Sequence, residues 1–212
     1  EVELLFIEAS GGAGMEFSYE GPDSDGSKVR VPTAVLVSPI GYAPPTTTTS
    51  TPAPLSGSSG GLQAQFYYLT SMPHSLDVLD DIDADYQRID ETIDYSSTHS
   101  AWTDLDQSDK FGARWTGGLE IQKDGDYTFY INSDDGSRVF INGALTVDNE
   151  GLHSMKEVSS TISLDTGKQS LEVTFFEAGG GAGCIFSYSG PDTNDMKVVV
   201  PKSALFPPEA AV

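Results

Sequence analysis

The sequence predicts an all-β protein built as an antiparallel two-sheet β-sandwich. From residue 61 onward, short segments alternate polar with apolar or aromatic side chains, which is the period of a half-buried strand. Turn sequences such as Asp-Gly, Asn-Gly and Ser-Gly-Pro-Asp separate these segments. No segment shows the periodicity of a helix longer than a turn or two. Many short strands at this spacing are typical of sandwiches and barrels.

The predicted strands follow the turn residues along the chain. They lie at residues 61–68, 110–121, 126–133, 137–143, 144–149, 157–164, 170–177, 183–190 and 197–201. The stretch 74–110 is rich in Asp and less regular, which indicates a long connection with short strands. We expect six strand aromatics to be mostly buried in the core: Phe66, Trp115, Phe129, Phe140, Phe175 and Phe186.

An internal repeat organises the chain. Residues 1–39 laid on residues 170–208, an offset of 169 (175 − 6 for Phe175 and Phe6), give 20 identities in 39 ungapped pairs. Residues 1–40 are therefore predicted to be the C-terminal strands of a preceding module, and 61–208 a complete module followed by a short tail at 209–212. Strands without a partner sheet pair readily with other chains. We thus expect neighbouring copies of the module as partners, in a tandem or a strand-complemented assembly.

The linker between the two copies, residues 41–60, contains only Gly, Tyr, Ala, Pro, Thr, Leu and Ser. Its prolines favour an extended path without hydrophobic periodicity. Mixtures of Thr, Ser and Pro are typical of O-glycosylated stalks, although an unmodified tether has the same composition. The predicted O-glycosylation sites are Thr46, Thr47, Thr48, Thr49, Ser50 and Thr51.

The composition excludes several classes of partner. Asp and Glu number 32 against 11 Lys and Arg, for a net charge of −21, a field that repels nucleic acid and anionic membranes. No run of about twenty apolar residues is present to span a bilayer. We therefore expect a secreted protein or an extracellular surface, with an acidic exterior suited to divalent cations. The single cysteine, Cys184, allows no intrachain disulfide and is predicted to be a core residue.

Several segments together resemble the protective-antigen-14 domain. They are GLQAQFYY, FGARWTGGLEI, SDDGSRVFING and the loop EAGGGAG, in this order within residues 61–208. That family is a β-sandwich found in bacterial toxins, glycosidases, fungal flocculins and other surface adhesins. Residues 1–40 match only the family's last strands.

The sharpest chemical feature is the pair Asp134–Asp135. Two adjacent carboxylates repel each other unless a cation or solvent screens them, and Ca²⁺ prefers several oxygen ligands from a tight loop. From the residues alone, a solvated β-turn is the alternative. The resemblance implies calcium, because sugar-binding members hold the ion with an Asp-Asp pair, in some cases joined by a cis peptide. Their second loop corresponds to 177–183 here, with Glu177 as its only side-chain ligand where flocculin-type members have an Asn.

Five further residues are candidates for glycan contact. Gly179, Gly180 and Gly181 either let backbone carbonyls approach an ion or sugar, or only provide positive φ in a tight bend. Asn149 could line the same rim as Asp135, and the resemblance implies that His153 lies in a turn near the binding face of the family. His74 and His99 have no ligand at zinc spacing, so zinc is not expected.

We expect a non-enzymatic protein, since no nucleophile–base motif or phosphate-binding loop is present. Three functions remain open. The first is a calcium-stabilised structural repeat of a secreted or cell-surface fibrous glycoprotein. The second is a calcium-dependent, carbohydrate-binding adhesin module. The third is an accessory carbohydrate-binding module of a polysaccharide-degrading enzyme. Fold alone does not decide among them.

Overall fold

A computed structural model of the chain describes residues 60–208 in full, together with the backbone of two short strands near the start, β1 (Ser18–Tyr19) and β2 (Val29–Arg30). The chain divides into two compact units, Glu1–Pro52 and Ala53–Val212. The predicted linker up to residue 59, its glycosylation sites and the tail 209–212 lie outside the described residues. Those expectations stay predictions.

The second unit follows the predicted succession of strands. Its strands are β3 (Leu62–Tyr68), β4 (Tyr86–Asp90), β5 (Asp94–Thr98), β6 (Phe111–Ile121), β7 (Gly125–Asp134), β8 (Ser137–Ile141), β9 (Ala144–Asn149), β10 (Lys156–Leu164), β11 (Gly167–Glu177), β12 (Ala182–Ser189), β13 (Val198–Val199) and β14 (Leu205–Phe206). The only helices among residues 60–208 are three short 3₁₀ segments, Leu76–Asp80, Pro191–Thr193 and Lys202–Ala204.

Two antiparallel sheets form the sandwich, which confirms the predicted fold class. One sheet has the order β10-β7-β12-β13, with β5 also beside β12. The other has the order β4-β3-β6-β11-β8-β9, with β14 also beside β6. In strands such as β7 and β8, alternate side chains are buried in the layer between the sheets, as the period of two requires.

Five of the six predicted core aromatics are buried, and the sixth is a correction. Phe66, Trp115, Phe129, Phe175 and Phe186 are fully inaccessible to solvent. Phe140 is only half buried, because β8 turns Ser137, Val139 and Ile141 inward and so places Phe140 on the outer face of its sheet. Cys184 is buried as expected, and burial raises the pKa of its thiol.

A buried polar network anchors the connection between β3 and β6. The Asp90 carboxylate accepts hydrogen bonds from Arg88 Nε at 2.6 Å, Tyr95 Oη at 2.5 Å and Trp115 Nε1 at 2.7 Å. The Arg88 guanidinium also donates to Tyr95 Oη at 2.8 Å. The buried carboxylate is thus fully paired, as burial of a charge requires.

The first and last strands of the sandwich, β3 and β14, meet beside Gly117. β14 pairs with β6 at Gly118 and Leu119, and β3 pairs with the same strand from Thr116 back to Phe111. The Gly61 amide donates to the Leu205 carbonyl at 3.1 Å. A Cβ at Gly117 would lie 2.1 Å from the Phe206 carbonyl oxygen, so only glycine allows this approach.

The first unit contains the strand pair β1–β2, which matches β12–β13 in register. The paired residues are Ser18 with Arg30 and Tyr19 with Val29 in the first unit, and Ser187 with Val199 and Tyr188 with Val198 in the second. Adding the repeat offset of 169 residues (187 − 18) to each paired residue of the first unit gives the paired residue of the second unit.

Candidate cation-binding site

Asp134 is the last residue of β7, and Asp135 begins the turn that leads to β8. The peptide bond between the two residues is cis. Asp135 is 6% exposed. Its Oδ1 accepts a hydrogen bond from the His153 backbone amide at 2.9 Å, and its Oδ2 accepts one from the Ala178 amide at 3.0 Å. Backbone groups from two other segments thus fix the Asp135 carboxylate.

The buried Asn149 side chain supports this turn through hydrogen bonds. It is 1% exposed, and its Nδ2 donates to Ser133 Oγ at 3.0 Å and to the Lys156 carbonyl at 2.9 Å. Ser133 Oγ in turn lies 2.7 Å from Ser137 Oγ. The side chain proposed from sequence for glycan contact is therefore enclosed in the protein and does not face solvent.

Glu177, at the end of β11, completes a group of three carboxylates. One oxygen each from Asp134, Asp135 and Glu177 lies within 4.8 Å of the others. Glu177 is 0% exposed, and neither of its carboxylate oxygens makes a hydrogen bond of normal geometry, although the Gly179 amide is near enough to act against the rise in its pKa. A buried carboxylate without any partner is costly, so this geometry calls for a cation or a proton.

The electrostatics of the group reflect this crowding. Burial, and then the charges of Asp135 and Asp134, raise the pKa of Glu177 to about 8. Burial and the neighbouring Asp135 also raise the pKa of Asp134. The protein therefore resists full ionisation of the three acids in the absence of a positive charge.

The three acids fit a hard divalent cation. All the side-chain donors are carboxylate oxygens, which suits Ca²⁺ and not the nitrogen and sulfur preferences of zinc or copper. The neighbouring His153 ring does not add a ligand for the cation. Its Nε2 lies 2.9 Å from the backbone carbonyl oxygen of Asn149, and its Nδ1 lies 3.1 Å from that of Ser154.

The glycine loop 179–181 borders the acids on the solvent side. Gly179 and Gly180 are exposed and Gly181 is half buried. A Cβ at Gly181 would lie 3.6 Å from Asp134 Oδ2, whereas nothing lies within 4 Å of the corresponding positions at Gly179 and Gly180. The structure thus brings the predicted loop beside the predicted acids, with open space around Gly179 and Gly180.

Two residues at this site were not predicted from sequence. His99 Nδ1 lies 2.9 Å from the Gly180 carbonyl oxygen, and Asp109 Oδ1 accepts the Gly180 amide at 2.9 Å. Both belong to the irregular connection between β5 and β6, about seventy to eighty positions before the loop. No motif or periodicity in the connection indicates this contact.

Within the part of the chain that the structure describes, no helix is both long and apolar enough to cross a membrane.

The chain is thus a β-sandwich module in which three carboxylates at one end, Asp134, Asp135 and Glu177, could hold a cation. Residues 61–200 match the PA14 domain family, and the chain belongs to that family. This confirms the resemblance seen in the sequence.

Sequences and structures similar to this chain occur in different classes of protein. The anti-sigma-I factor RsgI3 of Acetivibrio thermocellus is 28% identical over 152 residues, which are 71% of this chain and 22% of that protein. A solved anti-sigma factor domain-containing protein is 27% identical with a TM-score of 0.60, over 72% of this chain and 50% of the other. A PA14 sugar-binding domain from an RTX adhesin shares the fold at 21% identity and a TM-score of 0.60, over 70% of this chain and 98% of the other. This chain thus spans about a fifth of its curated relative.

Proposed function

We propose that this chain is a non-catalytic, calcium-stabilised PA14 module of a secreted or cell-surface fibrous glycoprotein. The observation that carries the calcium assignment is Glu177, a fully buried carboxylate with no partner, placed beside Asp134 and Asp135. A Ca²⁺ ion would offset two of the three negative charges of the ionised group, and carbonyls of the glycine loop would supply further oxygens.

Support for a tandem protein comes from the repeat and the matched strand register. The counterpart of Glu177 in the first copy is Glu8, at the same offset of 169 residues (177 − 8), so both copies carry the acid. β1–β2 also repeats the register of β12–β13. A Thr/Pro-rich linker with O-glycans on Thr46–Thr49, Ser50 and Thr51 would space such modules along an extracellular fibre.

Calcium should raise the thermal stability of the protein. A ligand that binds only the native state stabilises it by about 2.7 kcal/mol at a concentration of 100 Kd, which for a module of this size raises the Tm by about 5–10 °C. The measurement is a thermal unfolding scan with calcium and with excess chelator, with Mg²⁺ as the control ion. An identical transition under both conditions would contradict the proposal.

Calcium affinity should increase with pH up to about 8. In the calcium-free protein Glu177 has a pKa of about 8, and binding requires its ionised form, so a proton competes with the ion below that pH. We expect affinity to rise by up to about tenfold per pH unit between pH 6 and 8 and then to level off. Calorimetry in buffers of different ionisation enthalpy should find about one proton released per ion at pH 6.5. Equal affinities at pH 6 and pH 9 would count against the role of Glu177.

A second candidate function is calcium-dependent carbohydrate binding. The open space at Gly179 and Gly180, next to the acids, favours it, because a sugar hydroxyl could reach the ion from this side. A sugar-binding PA14 domain with the same fold supports it by analogy. A glycan array probed with and without chelator separates the two functions. Binding that chelator abolishes supports a lectin, and thermal stabilisation by calcium without any glycan signal supports the structural module.

A further inference from the structure

The tip of the glycine loop, Gly179 and Gly180, is not held by side-chain packing, whereas Gly181 is packed against Ser97. Gly179 and Gly180 are exposed, and no atom lies within 4 Å of the positions where their Cβ atoms would be. Gly180 has a φ of +118°, which an L side chain rarely adopts. A loop of this kind samples many conformations unless hydrogen bonds restrict it.

Those hydrogen bonds come from one segment, which we name the strap: residues 99–110, between β5 and β6. Asp109 Oδ1 accepts the Gly180 amide at 2.9 Å, and the Gly180 carbonyl lies 2.9 Å from His99 Nδ1, a donor in one tautomer. Trp102 Nε1 donates to the Ala182 carbonyl at 3.4 Å. Gly180 is thus bonded on both its amide and its carbonyl by two side chains of the strap.

The strap is itself fixed to the core. Trp102 is buried and stacks on Tyr95, with ring centroids 4.0 Å apart, and on Phe175, at 5.1 Å. Asp109 Oδ2 accepts Ser108 Oγ at 3.0 Å, which orients its other oxygen toward Gly180. The partners of the loop are therefore less mobile than the loop would be alone.

We propose that Asp109 and His99 are positioning residues that preform the glycine loop for cation binding. The inference rests on the proposed calcium site. Their hydrogen bonds restrict the loop before the ion arrives, so that less conformational entropy is lost on binding. Neither is proposed as a ligand; they act through Gly180, and because the charge of Asp109 also reaches Glu177, its contribution is tested separately. Removing an outer partner of this kind typically weakens metal affinity by about 10–100-fold.

Substitutions at Asp109 separate positioning from simple charge. D109N keeps an oxygen acceptor for the Gly180 amide, whereas D109A removes both the acceptor and the charge. We expect D109A to bind calcium about 10–100-fold more weakly than the unmodified chain, and D109N to remain within about fivefold. The matched control is D106A, which removes an exposed acid from the same strap and should change affinity by less than about twofold. The measurement is isothermal calorimetry with CaCl₂ on the 212-residue chain.

A second readout needs no calcium. The Gly180 amide should be protected from hydrogen exchange in the calcium-free protein and should exchange faster in D109A. Equal weakening in D109N and D109A, or affinity in D109A within twofold of the unmodified chain, would overturn the positioning role. If the unmodified chain binds no calcium, the proposed site fails, while the exchange rate of Gly180 still decides whether the strap orders the loop. If D109A does not fold, H99A, which removes only the carbonyl's partner, decides the question by the same two measurements.

Discussion

Replacing Glu177 by glutamine is expected to weaken calcium binding strongly and, at alkaline pH, to stabilise the calcium-free protein. The substitution removes one of three carboxylates from the group, so affinity should fall at least about 100-fold. The same change removes a buried charge that has no partner. At pH 9, where Glu177 is ionised, the calcium-free variant should be more stable than the unmodified chain by on the order of 3 kcal/mol.

The pH dependence of this gain has a definite sign. The folded-state pKa of Glu177 is about 8, above that of an ordinary glutamate, so the calcium-free fold loses stability as pH rises from about 4.5 to 8. E177Q should lack that loss, and below about pH 4.5 it should differ little from the unmodified chain. Denaturant unfolding at pH 4.5, 7 and 9 in chelator measures the difference. The control is E157Q, on β10, whose half-exposed acid should change stability by no more than about 0.5 kcal/mol. Unaltered calcium affinity in E177Q would refute the assignment.

Replacing Asp90 by alanine should destabilise the sandwich by about 3–5 kcal/mol. Asp90 is 7% exposed and is the shared acceptor for Arg88, Tyr95 and Trp115. The substitution leaves a largely buried guanidinium with the exposed Asp104 carboxylate, 3.5 Å away, as its remaining ion-pair partner. It also leaves the partly buried Tyr95 hydroxyl and the buried Trp115 indole N–H without their acceptor. Chemical denaturation in the presence of saturating calcium measures the loss.

The matched comparison is D80A, which also removes an aspartate paired with an arginine. Asp80 bonds Arg114 but is 66% exposed, so its loss should cost less than about 1 kcal/mol. Similar effects for D90A and D80A would mean that the buried network contributes no more than a surface ion pair.

Much of the fold could be predicted from sequence for physical reasons, whereas the grouping of Glu177 with Asp134 and Asp135 was expected only from the resemblance to the family. Strands such as 126–133 show a period of two because one face is buried, and adjacent acids in a tight turn are conspicuous. Phe140 departs from the expectation because Val139 and Ile141 take the inward face of the same short strand. His99 and Asp109 could not be found, because their contact with Gly180 depends on how β5 and β6 are placed in different sheets. Local patterns carry no information about such long-range contacts.

The meeting of β3 and β14 beside Gly117 has a mechanical consequence. The chain joins the sandwich at Gly61 and leaves after Phe206, and these points are adjacent. Tension along the polypeptide would therefore act first on the two paired residues of β14, peeling them from β6. Glu177 of the acidic group is paired with Phe111, at the start of β6, six residues before Gly117 and about 20 Å from it. A pulled module would thus begin to open at its tethered end while Glu177 and its neighbours remain unloaded.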